Sequence, residues 1–130
     1  MDILVDSDII IDFLNNQDYA VNFFKKENNK EFFISIISWI EVVYGFKKTK
    51  INNKKRFFEE FLEKFRIIIA PIDKKIAEKY LDVKIDLENK RESLADFDLL
   101  IAATAIVNNL ILATRNTKHF KRIKELKLFL

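Results

Sequence analysis

Short, wholly apolar runs alternate along this chain with longer stretches of helical periodicity. Ile3-Leu4-Val5 is apolar at every position, as expected of a strand buried on both faces. Ser7 can cap a helix from Asp8 to about Asn15. Tyr19, Ala20, Phe23 and Phe24 recur at helical spacing and predict a second helix. Phe32 to Ser35 reads as a second strand, and Ser38 can cap a helix carrying Trp39, Glu41 and Val42. From Asn52 to Phe65, Phe57, Phe58, Phe61, Leu62 and Phe65 fall on one apolar face. Arg66 to Ala70 is a third strand, ended by Pro71. A longer helix follows from about Lys74 to Asn89. The most apolar helix starts at Ser93 or Asp96 and stops near Asn108-Asn109. Leu110 to Ala113 is a fourth strand, Thr117 to Phe120 a single helical turn, and Leu126 to Leu130 a last short strand.

Strands this short, separated by helices, predict an α/β protein: a three-layer α/β/α sandwich around a central parallel sheet. There is no repeat, low-complexity tract or linker, so residues 1–130 are read as one domain. In such sheets ligands sit beyond the carboxyl ends of the strands, at a topological switch point. Asp6 lies at the end of the first strand, and Asn116 follows the fourth closely enough to reach the same rim.

Acids inside core-type segments stand out. Asp6 ends an apolar strand, Glu41 lies among Ile40, Val42 and Val43, and Asp96 and Asp98 open the run Leu99 to Val107. Buried acids are costly unless something positive neutralises them, and no cationic residue adjoins these positions. A divalent cation is the simplest neutraliser. Each acid also has a plainer reading. Asp6 and Asp96 can be caps, and Glu41 can face solvent if Ile40 and Val42 face inward. Asp8 reads as a first-turn acid at the helix dipole, and Asp12 as solvent-facing. Two positions apart on a helix, Asp96 and Asp98 share a site only if Asp96 is at or before the cap. Gly45, the only glycine, can end its helix or admit a close backbone approach.

Composition narrows the chemistry. The 130 residues contain no cysteine and one histidine, His119, so thiolate sites and histidine pairs from one chain are excluded. Carboxylates must carry any reaction, and their oxygens suit Mg²⁺ or Mn²⁺. The net charge of +3 mildly favours an anionic partner. One basic group holds Lys47, Lys48, Lys50, Lys54, Lys55 and Arg56; another holds Lys118, Lys121, Arg122, Lys124 and Lys127. Either is a solvated face or a phosphate contact. The phenylalanines at helical spacing read as core or a dimer face. The start of the chain does not resemble a signal peptide, and no run is long enough to span a membrane, which predicts a cytoplasmic location.

In this order, the motifs resemble those of PIN-domain proteins. Leu4-Val5-Asp6-Ser7-Asp8-Ile9-Ile10-Ile11-Asp12-Phe13-Leu14 resembles their opening motif. Ile36-Ile37-Ser38-Trp39-Ile40-Glu41-Val42-Val43-Tyr44-Gly45 resembles the second. Asp96-Phe97-Asp98-Leu99-Leu100-Ile101-Ala102-Ala103-Thr104-Ala105 resembles the third, and Leu112-Ala113-Thr114-Arg115-Asn116-Thr117-Lys118-His119-Phe120 the fourth. The length and the Tyr-Gly ending of the second motif look most like VapC toxins of toxin–antitoxin pairs.

The resemblance implies a Mg²⁺- or Mn²⁺-dependent ribonuclease that leaves 5′-phosphate and 3′-hydroxyl ends. It implies a tRNA or other structured RNA substrate, a VapB-type antitoxin, a homodimer, and operator DNA bound only through the antitoxin. By motif position Asp6, Glu41 and Asp98 match the core acids, with Asp96 an extra metal ligand. Ser7, Thr114 and Asn116 would orient water or phosphate; Arg115, Lys118, Lys47 and Lys48 would contact RNA phosphates. Relatives often carry an aspartate where this chain has Asn116, which bears on whether a second metal is held. Two rivals are an inactive PIN-type binding module and a receiver-like phosphoacceptor domain. The second would need adjacent acids after strand one, where Ser7 splits Asp6 from Asp8.

Overall fold

The computed structural model describes residues 1–50 and 52–129. Four short strands, β1 (Ile3–Val5), β2 (Phe32–Ser35), β3 (Ile68–Ala70) and β4 (Ile111–Ala113), pair in parallel in the order β3-β2-β1-β4. Helices α1 (Ser7–Leu14), α2 (Asp18–Lys26), α3 (Ile36–Thr49), α4 (Asn52–Lys64), α5 (Lys74–Asn89), α6 (Asp96–Val107) and α7 (Thr117–Phe120) connect them.

Successive strand residues point to opposite faces, so each strand feeds two cores. Ile3, Val5, Phe32 and Ile34 pack with α1, α2, α3 and α4 on one face. Leu4 and Leu112 pack with α5, α6 and α7 on the other. This is the three-layer α/β/α arrangement that the pattern predicts. The first core is aromatic. Phe24 is fully buried and sits 5.0 Å from Phe32 and 5.1 Å from Phe61, ring centre to ring centre; Phe13 sits 4.6 Å from Phe61. The phenylalanines thus act mainly as core, although Phe57, expected on the apolar face of α4, is 58% exposed.

Several local expectations change. The last strand does not form: Leu128 makes only an isolated parallel bridge to Leu112, and Leu130 lies outside the described residues. α3 begins directly after β2, so Ser35 rather than Ser38 caps it, its hydroxyl accepting from the Ile37 N–H. Likewise Asp6, not Ser7, caps α1. The third strand starts at Ile68 because Arg66 adopts the left-handed conformation that ends α4 (φ 52°). Gly45 lies inside α3, with open space where a Cβ would stand, so it neither ends the helix nor permits a close approach.

From β1 the chain steps to β2 on one side and later returns to β4 on the other. The switch point therefore falls between β1 and β4, where crevices open in sheets of this kind. Among the described residues, no helix is long and apolar enough to cross a membrane.

Candidate active site at the carboxyl rim

Asp6 follows β1 immediately, and its backbone N–H donates to Ala113 O across the β1–β4 junction (2.9 Å). Its carboxylate is buried. Oδ1 accepts from the Ser7 N–H (2.8 Å) and Oδ2 from the Thr114 hydroxyl (2.7 Å). Thr114 is itself buried and accepts the Asn116 N–H (3.0 Å), which fixes its hydroxyl. Asp8 sits one step up α1. Its Oδ2 accepts the Arg115 backbone N–H (3.0 Å) and lies 3.4 Å from the Thr114 hydroxyl. Its Oδ1 is buried with no hydrogen-bond partner among the described residues.

Glu41 reaches the same place from α3. The Ser7 hydroxyl donates to its Oε1 (3.1 Å), joining α1 to α3. Asp98 stands in the first turn of α6, half-buried. The electrostatics show the proximity. Burial raises the Asp6 carboxyl to about 7, with the neighbouring Asp8 charge adding to it. Burial also raises Glu41, the Ser7 hydrogen bond opposing it and the Asp98 and Asp8 charges reinforcing it. Asp98 is raised by burial and by Asp8, and is partly relieved by His119. Like charges this close disfavour joint ionisation.

The expected residues divide. Ser7 joins Asp6 to Glu41, Thr114 holds Asp6, and the Asp98 charge acts on Glu41. The structure draws Asp96 away. The Asp96 carboxylate is exposed and accepts from Lys84 Nζ (2.8 Å) and the Tyr80 hydroxyl (2.8 Å), which hold its pKa below the ordinary range. The structure thus engages Asp96 with α5 and does not link it by hydrogen bonds to Asp6 or Glu41. Asn116 caps α7 through its backbone and makes no side-chain cap bond. Lys47, Lys48 and Lys118 are exposed at the ends of α3 and α7.

Two acids were missed as site members. Asp12, expected to face solvent, has a side chain only 14% exposed; it accepts from the Tyr19 hydroxyl and from Arg115 Nε (3.1 Å). Asp8 shares Arg115, whose Nε lies 3.9 Å away. The cation that neutralises this edge stands more than a hundred positions along the chain, and only the β1–β4 pairing brings it near.

The donor set suits a hard divalent cation: carboxylate oxygens, one of them buried and unpartnered, in a cluster that repels itself. Among the described residues, no three acid or histidine side chains converge as they stand on one coordination point. Beside Glu41, Ile40, Tyr44 and Phe97 line a cavity of about 470 Å³ and are each more than a third exposed.

Residues 3–126 match the PIN domain family. Ribonuclease VapC1 of Methanocaldococcus jannaschii is 34% identical over 126 residues, covering 95% of this chain and 82% of that protein. The tRNA(fMet)-specific endonuclease VapC of Shigella flexneri is 26% identical and covers 95% of this chain and 93% of its own. Among solved structures, VapBC2 from Rickettsia felis bound to a DNA fragment from their promoter superposes with a TM-score of 0.91 at 31% identity, over 99% of this chain and 98% of that one. With its motifs in order and its acids at the switch point of the sheet, the chain belongs to the PIN-domain family, among the VapC proteins.

Proposed function

We propose that this chain is a metal-dependent endoribonuclease toxin that hydrolyses RNA phosphodiester bonds and is silenced by a VapB-type antitoxin. The observation that carries the reading is the linkage of acids at the β1–β4 rim, Asp6 and Glu41 through Ser7, with the Asp98 and Asp8 charges acting on Glu41. Such a set has no structural purpose of its own, because each member makes the others harder to ionise.

Asp6, Glu41 and Asp98 would hold Mg²⁺ or Mn²⁺. A cation bound there supplies charge neutralisation at the scissile phosphate and lowers the pKa of bound water. The protein's part is orientation. Thr114 and the Ser7 N–H occupy one lone pair on each Asp6 oxygen, fixing the carboxylate plane. The Ser7 hydroxyl fixes Glu41 and leaves Oε2 free. The proton lost by the attacking water would pass to solvent, since Asp6 is committed to holding the cation. Attack at phosphorus breaks the bond to the 3′-oxygen, which leaves as a hydroxyl after taking a proton from solvent; the 5′-phosphate stays on the downstream fragment. Arg115, Lys118, Lys47 and Lys48 are exposed and would contact RNA phosphates. Asn116 stands beside Thr114 as a further polar contact.

The family's partners fit an apolar surface. Exposed Ile40, Tyr44 and Phe97 beside Glu41 offer an antitoxin or a second copy a foothold next to the acids. The reading therefore includes a homodimer, with operator DNA reached only through the antitoxin, and a tRNA or other structured RNA as substrate. The deciding experiment is cleavage of a small RNA panel with Mg²⁺, with EDTA, and by Asp98→Asn. Cleavage only in the first arm supports the reading. Equal cleavage in all three ends it, and no cleavage in any arm points instead to an inactive binding module.

A further inference from the structure

We propose that Asp12 and Tyr19 are positioning residues that hold Arg115 ready to take an RNA phosphate beside Asp6. The inference rests on the RNA-directed reading above and names what fixes one of its phosphate contacts. Arg115 is held from two directions. Its backbone N–H donates to Asp8 Oδ2 (3.0 Å), and on either side of it the Asn116 N–H donates to the Thr114 hydroxyl (3.0 Å). Its side chain pairs through Nε with Asp12 Oδ2 (3.1 Å). Asp12 in turn accepts from the Tyr19 hydroxyl, which comes from α2. The Asp12 side chain is 14% exposed and that of Arg115 is 59% exposed. The acid is sunk and tethered, while the cation it holds stays open to solvent. An arginine loose on a surface samples many rotamers and must be ordered when it binds. Here the ordering precedes any anion. A guanidinium carries more donors than one carboxylate occupies, and its planar fork matches a phosphate. Thr114, the residue before Arg115, donates to Asp6 Oδ2 (2.7 Å), so the tethered cation stands next to the rim acid.

The test is fluorescence anisotropy of labelled bulk tRNA titrated with the purified protein in EDTA. The sign of the change decides. By charge alone, removing an acid from a phosphate-binding surface tightens binding. If Asp12 positions Arg115, Asp12→Asn instead weakens binding about three- to tenfold, the cost of ordering one long side chain on binding. Arg115→Ala should weaken it at least as much. The double variant should bind no more weakly than Arg115→Ala alone, because Asp12 acts through Arg115. Tyr19→Phe changes no charge and should give a smaller loss in the same direction. Binding unchanged or tightened in Asp12→Asn overturns the proposal, as does a double variant whose two losses add. If Asp12→Asn does not fold, unchanged binding in Tyr19→Phe overturns it instead. Cleavage separates this inference from the reading it rests on. Mg²⁺-dependent cleavage without the expected binding pattern overturns the positioning role alone. The binding pattern without any cleavage upholds that role and overturns hydrolysis.

Discussion

The carboxyl rim and the outer face of α5 treat their acids in opposite ways. On the outer face three acids have cations of their own: Lys84 meets Asp96 at 2.8 Å, Lys90 meets Asp86 at 3.0 Å, and Lys79 meets Glu125 at 3.0 Å. These pairs lie in water and contribute little. At the rim, Ser7 and Thr114 link Asp6, Asp8 and Glu41, the Asp98 charge acts on Glu41, and Arg115 meets only Asp8 and Asp12. Neutralised acids settle a surface, whereas acids left to repel one another hold a place for something positive. Asp96 and Asp98, two positions apart in the first turn of α6, fall on opposite sides of that divide.

The sharpest way to break the contrast is to neutralise one acid of each kind. Asp98→Asn should cut RNA cleavage by about 100-fold or more, the usual cost of removing a group that stabilises charge in the transition state. The chain should stay folded, as circular dichroism would show.

Acidity offers a second probe. Asp6 sits at about 7 in the folded chain against an ordinary 3.8. Between those values the folded chain keeps a proton that the unfolded chain has released, so stability falls as pH rises through that window. Asp8, Glu41 and Asp98 are raised as well and act in the same direction. Metal-free protein should therefore melt at lower temperature at about pH 8 than at about pH 5. Added Mn²⁺ should close much of that gap in scanning calorimetry, and equal melting at both values would contradict the charge-storing picture of the rim.

Thr114→Val removes the buried hydroxyl that satisfies Asp6 Oδ2. It should cost about 1–3 kcal/mol in urea unfolding, the penalty for stranding a buried acceptor. Away from the acids, Gly45→Ala fills open space inside α3 and should stabilise by about 0.5–1 kcal/mol. The smallest effect belongs to the outer face: Asp96→Asn should change neither melting nor cleavage measurably.

The sequence made much of the layering readable. Period-two and period-3.6 signals are local, and here tertiary packing agrees with them. The α5 bounds match the expected Lys74 to Asn89, and β1 and β2 fall where the apolar runs lie. Asp6, Glu41 and Asp98 were visible because an acid inside an apolar run conflicts with its surroundings. Asp8 and Asp12 were not, because an acid in the first two turns of a helix already has an ordinary explanation. What sets them apart is Arg115, a contact that no local pattern announces. The partner of Asp96 was equally hidden: Lys84 comes from the preceding helix, and only the packing of α6 on α5 joins them. Ser38 was misread because the strand-to-helix turn is abrupt, and a serine three positions earlier was available to cap α3. The last strand failed because a single bridge to Leu112 does not make a ladder.

The pairing of β1 with β4 joins stretches more than a hundred positions apart. Asp6 waits for a hydroxyl 108 positions away, and Asp8 for an amide 107 positions away. Until residues 111–115 leave the ribosome those contacts cannot exist, so this rim takes shape late in synthesis.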